Sequence, residues 1–286
     1  FSYSGENDEL DIFRKVVSGS IDLDDVKVRL FAENGVGASG SLKINELEAS
    51  NSSTGKKVTL QSNLLDQPIA IKRATDNPLE PGYSSFELNK GNSNADQLIE
   101  VLPDRFKYDL EILTNPNGDV NNHGDFVYHT SKIGSGVEIE MPMHLGMKTL
   151  TFQDTLDFKL TGTEAVDNIK SGVFKLLLAN HFPVGGDIQL YFVDEQYHVL
   201  DSLFDEGAAR FFAGKIETPG YRVLQPSPTR LPISVSEQEM DMVKGGSYVV
   251  VKAVFNTFPD GEKVRLYSDY RLKIKLVADF KYNTGK

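Results

Sequence analysis

The chain has 286 residues, a net charge of −11, 40% hydrophobic and 25% charged residues, and no cysteine. This is the composition of a folding globular chain, not a disordered one. Its negative charge argues against general nucleic-acid binding, which depends on Lys and Arg neutralising phosphates. The lack of thiols excludes disulfides, thiolate catalysis and cysteine-zinc sites.

Residues 8–17 read as a short helix. A strand is expected over 26–33, where Val26, Val28, Leu30 and Ala32 alternate with Lys27, Arg29, Phe31 and Glu33. It ends at Asn34, and Gly35-Val36-Gly37 turns the chain into an alternating run at 42–47. Pro78 and Pro81 mark 77–82 as an extended connection. A helix is expected over 94–102, with Asn94 and Gln97 in a loose capping-box spacing. The strand at 106–114 alternates Tyr108, Leu110 and Ile112 with Asp109 and Glu111. It ends at Asn115 before Pro116-Asn117-Gly118, and a return run follows at 137–141.

The second half follows suit. A helical patch is expected at 163–170, then a strand at 173–179 ending in Asn180, a turn through Pro183 and Gly185-Gly186, and a run at 188–192. Pro219, Pro226, Pro228 and Pro232 bar 218–232 from a central strand, because proline lacks the ladder N–H, and suggest an extended connection. Ser236 and Glu239 have capping-box spacing at the start of a helix over 236–244. A strand at 248–255 ends at Asn256, and a short run is expected at 264–267. The last strand sets Leu272, Ile274, Leu276 and Ala278 against Arg271, Lys273, Lys275 and Asp279, giving one wet face. Segments 174–178 and 249–255 are apolar on nearly both faces and are placed centrally.

Four segments therefore share one plan of helix, Asn-terminated strand, Gly/Pro turn and return strand. Asn tolerates left-handed backbone and caps its own turn. The expected class is all-β with short helices, as tandem β-sandwich-like repeats paired into domains 1–160 and 161–286. The alternative is an elongated tubular barrel around a lipid, resembling the bactericidal/permeability-increasing superfamily and favoured by strands apolar on both faces.

Leu113-Thr114-Asn115-Pro116-Asn117 resembles the β-sandwich module of the water-stress and hypersensitive-response proteins, a late-embryogenesis-abundant type. Ala179-Asn180-His181-Phe182-Pro183-Val184-Gly185-Gly186 and Val199-Leu200-Asp201-Ser202-Leu203-Phe204 are similar to uncharacterised Bacteroidetes-type envelope proteins and lipoproteins. These resemblances imply a non-catalytic binding or structural module outside the cytoplasm, periplasmic or outer-membrane-associated. The opening Phe1-Ser2-Tyr3-Ser4 suggests a removed export signal, with a lipid anchor expected only through residues upstream of Phe1. Asp154-Thr155-Leu156 and Asp201-Ser202-Leu203 look like that phylum's O-glycosylation acceptor, with Thr155 and Ser202 as the modified residues. Asn51-Ser52-Ser53 is a formal N-glycosylation sequon.

Catalytic chemistry is not expected. There is no Gly-x-Ser-x-Gly elbow, and His123, His129, His144, His181 and His198 read as loop or surface residues. Neither a dinucleotide fingerprint nor a P-loop occurs, so no nucleotide is expected. The one cofactor candidate is Ca²⁺: Asn117, Asp119, Asn121 and Asp125 occupy positions one, three, five and nine of a pseudo-EF loop. Against it, Asn122 and Tyr128 stand where that loop wants Gly and a bidentate Glu. Phe204, Phe211, Phe212 and Tyr221 are candidates for an apolar pocket or a partner face. The expected role is binding, adhesion or assembly among other envelope proteins; the rival role is a lipid carrier.

Overall fold

The computed structural model describes residues 2–7, 13–158, 160, 168–204, 207–217, 222–257 and 262–282. The chain divides into two compact units: Phe1–Arg14 with Leu23–Pro142, and Lys15–Asp22 with Met143–Lys286. A boundary near residue 160 would therefore fall inside the second unit. Its first long strand already pairs within that unit, with residues 248–255.

The first 142 residues carry β1 (Ser2–Asn7), β2 (Val16–Leu23), β3 (Lys27–Asn34), β4 (Gly40–Ser50), β5 (Lys57–Thr59) and β6 (Ile69–Ile71). The hairpin β7 (Thr75–Asp76) and β8 (Leu79–Glu80) follows, then β9 (Gly82–Leu88), helix α1 (Ala95–Glu100), β10 (Arg105–Thr114) and β11 (Ile133–Glu140). The remainder carries β12 (His144–Asp157), β13 (Ile169–Asn180), β14 (Gly185–Val193), β15 (Val199–Ser202) and β16 (Ala209–Phe211). After these come the hairpin β17 (Lys215–Glu217) and β18 (Arg222–Gln225), β19 (Ser227–Val235), helix α2 (Glu237–Lys244), β20 (Tyr248–Asn256), β21 (Val264–Arg265) and β22 (Leu272–Tyr282).

Both units are sandwiches with the same strand plan. In the first, sheet β11-β3-β9 lies over sheet β1-β10-β4-β5, with β6 also on β4. In the second, β19-β13-β22 lies over β15-β14-β20-β12-β2, with β16 on β14 and β21 on β12. So β3, β4, β9, α1 and β10 correspond to β13, β14, β19, α2 and β20. None of these sheets closes on itself, which removes the tubular barrel. The strands apolar on both faces are instead the interior strands of open sheets, as β13 and β20 are.

Backbone hydrogen bonds repeat the correspondence. The Gly35 N–H donates to the Lys132 carbonyl at 2.8 Å, and His181 to Arg271 at 3.1 Å. Ala74 donates to Val36 at 3.0 Å, and Gly214 to Phe182 at 2.8 Å. Leu60 donates to Leu47 at 2.7 Å, and Leu203 to Leu190 at 2.8 Å.

The side chains of Asn34 and Asn180 match as well. Each Oδ1 accepts the N–H two residues on, from Val36 at 2.9 Å and Phe182 at 3.0 Å. Each Nδ2 donates to the carbonyl four residues on, Ala38 at 3.2 Å and Val184 at 2.7 Å. Each also donates to a distant loop, at Lys72 (3.1 Å) and Phe212 (2.9 Å). The plan therefore repeats twice and not four times. Asn115 and Asn256 follow strands of the larger sheets and make different bonds: Asn115 Nδ2 donates to Asp125, and Asn256 Oδ1 accepts the Thr149 N–H. A shared Asn-turn spelling arose from turn chemistry that any strand end can use.

Other expectations shift locally. Residues 16 and 17 begin strand β2, not the end of a helix, while 8–12 lie outside the described residues. Ile169 and Lys170 open β13, and 161–167 lie outside the described residues. The proline-rich stretch contributes β19, an edge strand, with Pro228 opposite Ala179 and Pro232 opposite Lys175. An edge leaves one side of the strand unbonded, so proline's missing N–H costs no ladder bond there. At α2 the capping box is present, with Ser236 and Glu239 bonding each other's backbone N–H. At α1 the Asn94 side chain does not cap; it accepts from the Gln61 N–H at 2.7 Å.

The second core gathers Phe174, Leu176 and Leu178 from β13, Ile188, Leu190 and Phe192 from β14, and Val249, Val251 and Ala253 from β20. Alternate residues of each strand point inward, and burying each large side chain contributes roughly 1.5–3 kcal/mol. In the first unit, Ala32, Leu42 and Ile71 form a smaller matching cluster with Leu110 and Ile112.

Candidate functional site

The pseudo-EF segment is the long loop between β10 and β11. It turns through left-handed backbone at Asn115, Asn122 and His123, with φ of 47°, 50° and 61°. Asp119 accepts the backbone N–H of His123 at 2.9 Å and that of Asn121 at 3.3 Å, and meets the His123 ring nitrogen at 2.8 Å. Asp125 accepts from Asn115 Nδ2 at 2.5 Å, Arg73 at 3.3 Å and Asn121 Nδ2 at 3.4 Å. Arg73 also donates to the Gly124 carbonyl at 2.8 Å and stands 6.0 Å from the Phe126 ring centre.

Asn121 thus touches both acids, while Asn117 joins neither. Calcium needs oxygen lone pairs converging on one point; here N–H groups and a guanidinium face the carboxylates. Among the described residues, no group of three His, Asp or Glu is placed to hold a metal ion.

The aromatic candidates are not brought together. Phe211 is 1% exposed and its ring lies 5.4 Å from Phe255, inside the core. Phe212 is 64% exposed. Phe204 is half-buried against the same core, its backbone tied to the Gln189 amide at 2.8 and 3.2 Å. Tyr221 lies outside the described residues. Successive residues leaving a strand point to opposite faces, so the pair 211–212 cannot line one pocket.

Thr155 is exposed on β12, with its N–H donating to Asp154 at 3.0 Å. Ser202 is half-buried and its hydroxyl donates to the Phe204 carbonyl at 3.2 Å. Of the two O-glycosylation candidates, Thr155 is the accessible one. The sequon Asn51 is 1% exposed, its amide clamped on the Leu102 carbonyl.

Two histidine–carboxylate pairs lie in turns. His123 pairs with Asp119 and His198 with Asp194, at 2.8 and 3.1 Å, and both rings are mostly exposed. At Asp194 burial pushes the carboxyl up. The His198 and Gln196 N–H groups and the His198 ring outweigh this and hold it below the usual range. These are turn-closing contacts.

The feature that sequence reading passed over is the outer face of β19-β13-β22. Leu177 and Ala179 form a low apolar floor with Pro228 and Pro232, flanked by Arg230, Lys273 and Lys275 in a shallow groove. The alternation in the last strand marked these lysines as a wet face. Only the pairing of β22 and β19 on either side of β13 gathers the three strands' cations into one surface.

No protein-family profile matches the chain, and no curated protein matches it. Among solved structures it is similar to a candidate secreted protein from Parabacteroides distasonis. Identity is 11% and the TM-score 0.45, over 99% of this chain and 81% of that one.

Proposed function

We propose that the protein is a non-catalytic component of the bacterial envelope, outside the cytoplasm, that binds and organises other envelope proteins through its sheet surfaces. The observation that carries this reading is the outer face of each three-stranded sheet, where Tyr83, Glu33 and Glu138 on one unit and Lys175, Arg230 and Lys273 on the other are exposed. The groups best suited to chemistry, by contrast, are spent on closing turns: Asp119, Asp125, Asp194, His123 and His198. Open sheet faces and edges are surfaces that proteins use for partner recognition. The envelope placement draws on the likeness of 179–186 and 199–204 to envelope proteins and on the accessible acceptor Thr155.

Cross-linking of the native envelope followed by mass spectrometry tests the role. The expected result is a reproducible set of cross-links from lysines of the sheet faces to named envelope proteins. Recovery of the chain solely as an uncross-linked cytoplasmic species overturns it.

A further inference from the structure

The outer faces of the two equivalent three-stranded sheets carry opposite character. On the second unit, outward positions alternate along each strand to give Lys175, Leu177 and Ala179 on β13, Lys273, Lys275 and Lys281 on β22, and Arg230 on β19. Lys175 is paired with Asp279, but Arg230, Lys273, Lys275 and Lys281 meet no carboxylate among the described residues. That is a concentrated basic face on a chain of net charge −11.

The same positions on the first unit hold Phe31 on β3, Tyr83 on β9 and Gly136 on β11, with Glu33, Glu87, Glu138 and Glu140 around them. The Phe31 ring stacks on Tyr83 at 6.1 Å and lies across Gly136, where a larger side chain would collide with it. Tyr83 is 52% exposed. Two cations on the same face of β3 offset half of the four carboxylates: Arg29 bonds Glu138 at 2.9 Å and approaches Glu87 at 3.8 Å, and Lys27 stands opposite Glu140 in register, leaving a net negative face.

We infer that the basic face of the second unit docks on the acidic, aromatic face of the first unit of a second copy of this chain. Both faces are pleated three-stranded sheets with an apolar strip among their charges. One strip is aromatic, the other aliphatic and proline-lined. Each is flanked by charge on the equivalent edge strand, Glu138 (bonded to Arg29) and Glu140 on β11 against the uncompensated Lys273 and Lys275 on β22. Charge complementarity of this kind steers association and fixes register more than it adds raw affinity.

Three strands about 4.8 Å apart and roughly nine residues at ~3.3 Å give a face on the order of 400 Å² per partner. That places the contact at the weak, reversible end of specific interfaces. Because the two surfaces differ, the contact is head-to-tail: each copy keeps one face unused, so the assembly grows as a chain unless it closes into a ring. This rests on the assembly reading above and names its partner. If self-association fails, cross-links to other envelope proteins still stand on their own.

Sedimentation velocity of the full chain, across a concentration series, tests it at about 0.02 M and about 1 M salt, where screening lengths differ several-fold. Wild type is expected to sediment faster with rising concentration at low salt, and at least tenfold less association is expected at high salt. K273E/K275E, which cancels the positive excess of the second face, should stay monomeric, and so should E138K/E140K, which makes the first face basic. Mixing those two variants, or combining all four changes in one chain, should restore association. Far-ultraviolet circular dichroism and melting confirm that each variant is folded. A monomeric wild type overturns the proposal, as does K273E/K275E associating like wild type, or failure of the exchanged charges to restore assembly. So does a monomeric wild type that binds phosphatidylglycerol vesicles through Lys273 and Lys275, which would make an anionic lipid surface the occupant.

Discussion

Replacing Asn180 with Ala should unfasten the second unit at the β13–β14 turn. The side chain is fully buried and makes three hydrogen bonds: from the Phe182 N–H at 3.0 Å, and to the carbonyls of Val184 at 2.7 Å and Phe212 at 2.9 Å. Each intramolecular bond contributes about 1 kcal/mol net, and a partner left buried without water costs more. The loss should therefore be about 3 kcal/mol. For a unit of this size, that is roughly 6–12 °C in the melting transition it controls. Asn34→Ala should cost the first unit a similar amount, because its three bonds are equivalent. Asn115→Ala should cost about 1 kcal/mol or less, its side chain being bonded to Asp125 on a half-exposed loop. Chemical denaturation gives the magnitudes. Hydrogen exchange read by mass spectrometry should localise the loss to 180–190 and 207–214 for Asn180, and to 34–42 and 70–75 for Asn34. If Asn115→Ala destabilises as much as Asn180→Ala, the two-fold equivalence of these residues is wrong.

Three further outcomes are expected. Phe211→Ala should cost about 3–5 kcal/mol by opening a cavity in the second core, whereas Phe212→Ala should change stability by less than about 0.5 kcal/mol; equal effects in urea titrations would contradict their opposite facing. Gly186→Ala should destabilise by about 1–3 kcal/mol, because the added Cβ meets the Val254 carbonyl and the Phe211 ring where β14 pairs with β20, and faster exchange of both strands is the readout. The Ser236 side chain and backbone N–H hold the Glu239 carboxyl below the usual range, so the stabilisation at the start of α2 is present above the unfolded carboxylate pKa and lost as pH falls through the lowered folded value. Stability measured from about pH 7 to pH 3 should fall less steeply in Glu239→Gln, and Ser236→Ala should cost about 1 kcal/mol at neutral pH; unchanged slopes would exclude the linkage.

Much of the secondary structure was legible because period-two alternation is a local property. The strands at β3, β10, β13, β20 and β22 follow from it. The capping box at Ser236 and Glu239 follows from side-chain reach across one helical turn. The same locality also misled, and two places show how. Residues 16 and 17 looked helical but form an edge strand beside β12. The prolines of β19 looked like a linker but lie on a sheet edge, where their missing N–H is harmless.

By itself, the sequence determined that this is an all-β chain with Asn-closed turns, since side-chain alternation and turn chemistry act between near neighbours. Tertiary structure alone decided that the plan occurs twice. Asn34 and Asn180 differ from Asn115 and Asn256 in the bonds their amides make, both with their own turns and with the loops that come back across space to meet them. Tertiary structure also decided that lysines and an arginine more than forty positions apart share one face, because strand pairing sets which side chains become neighbours.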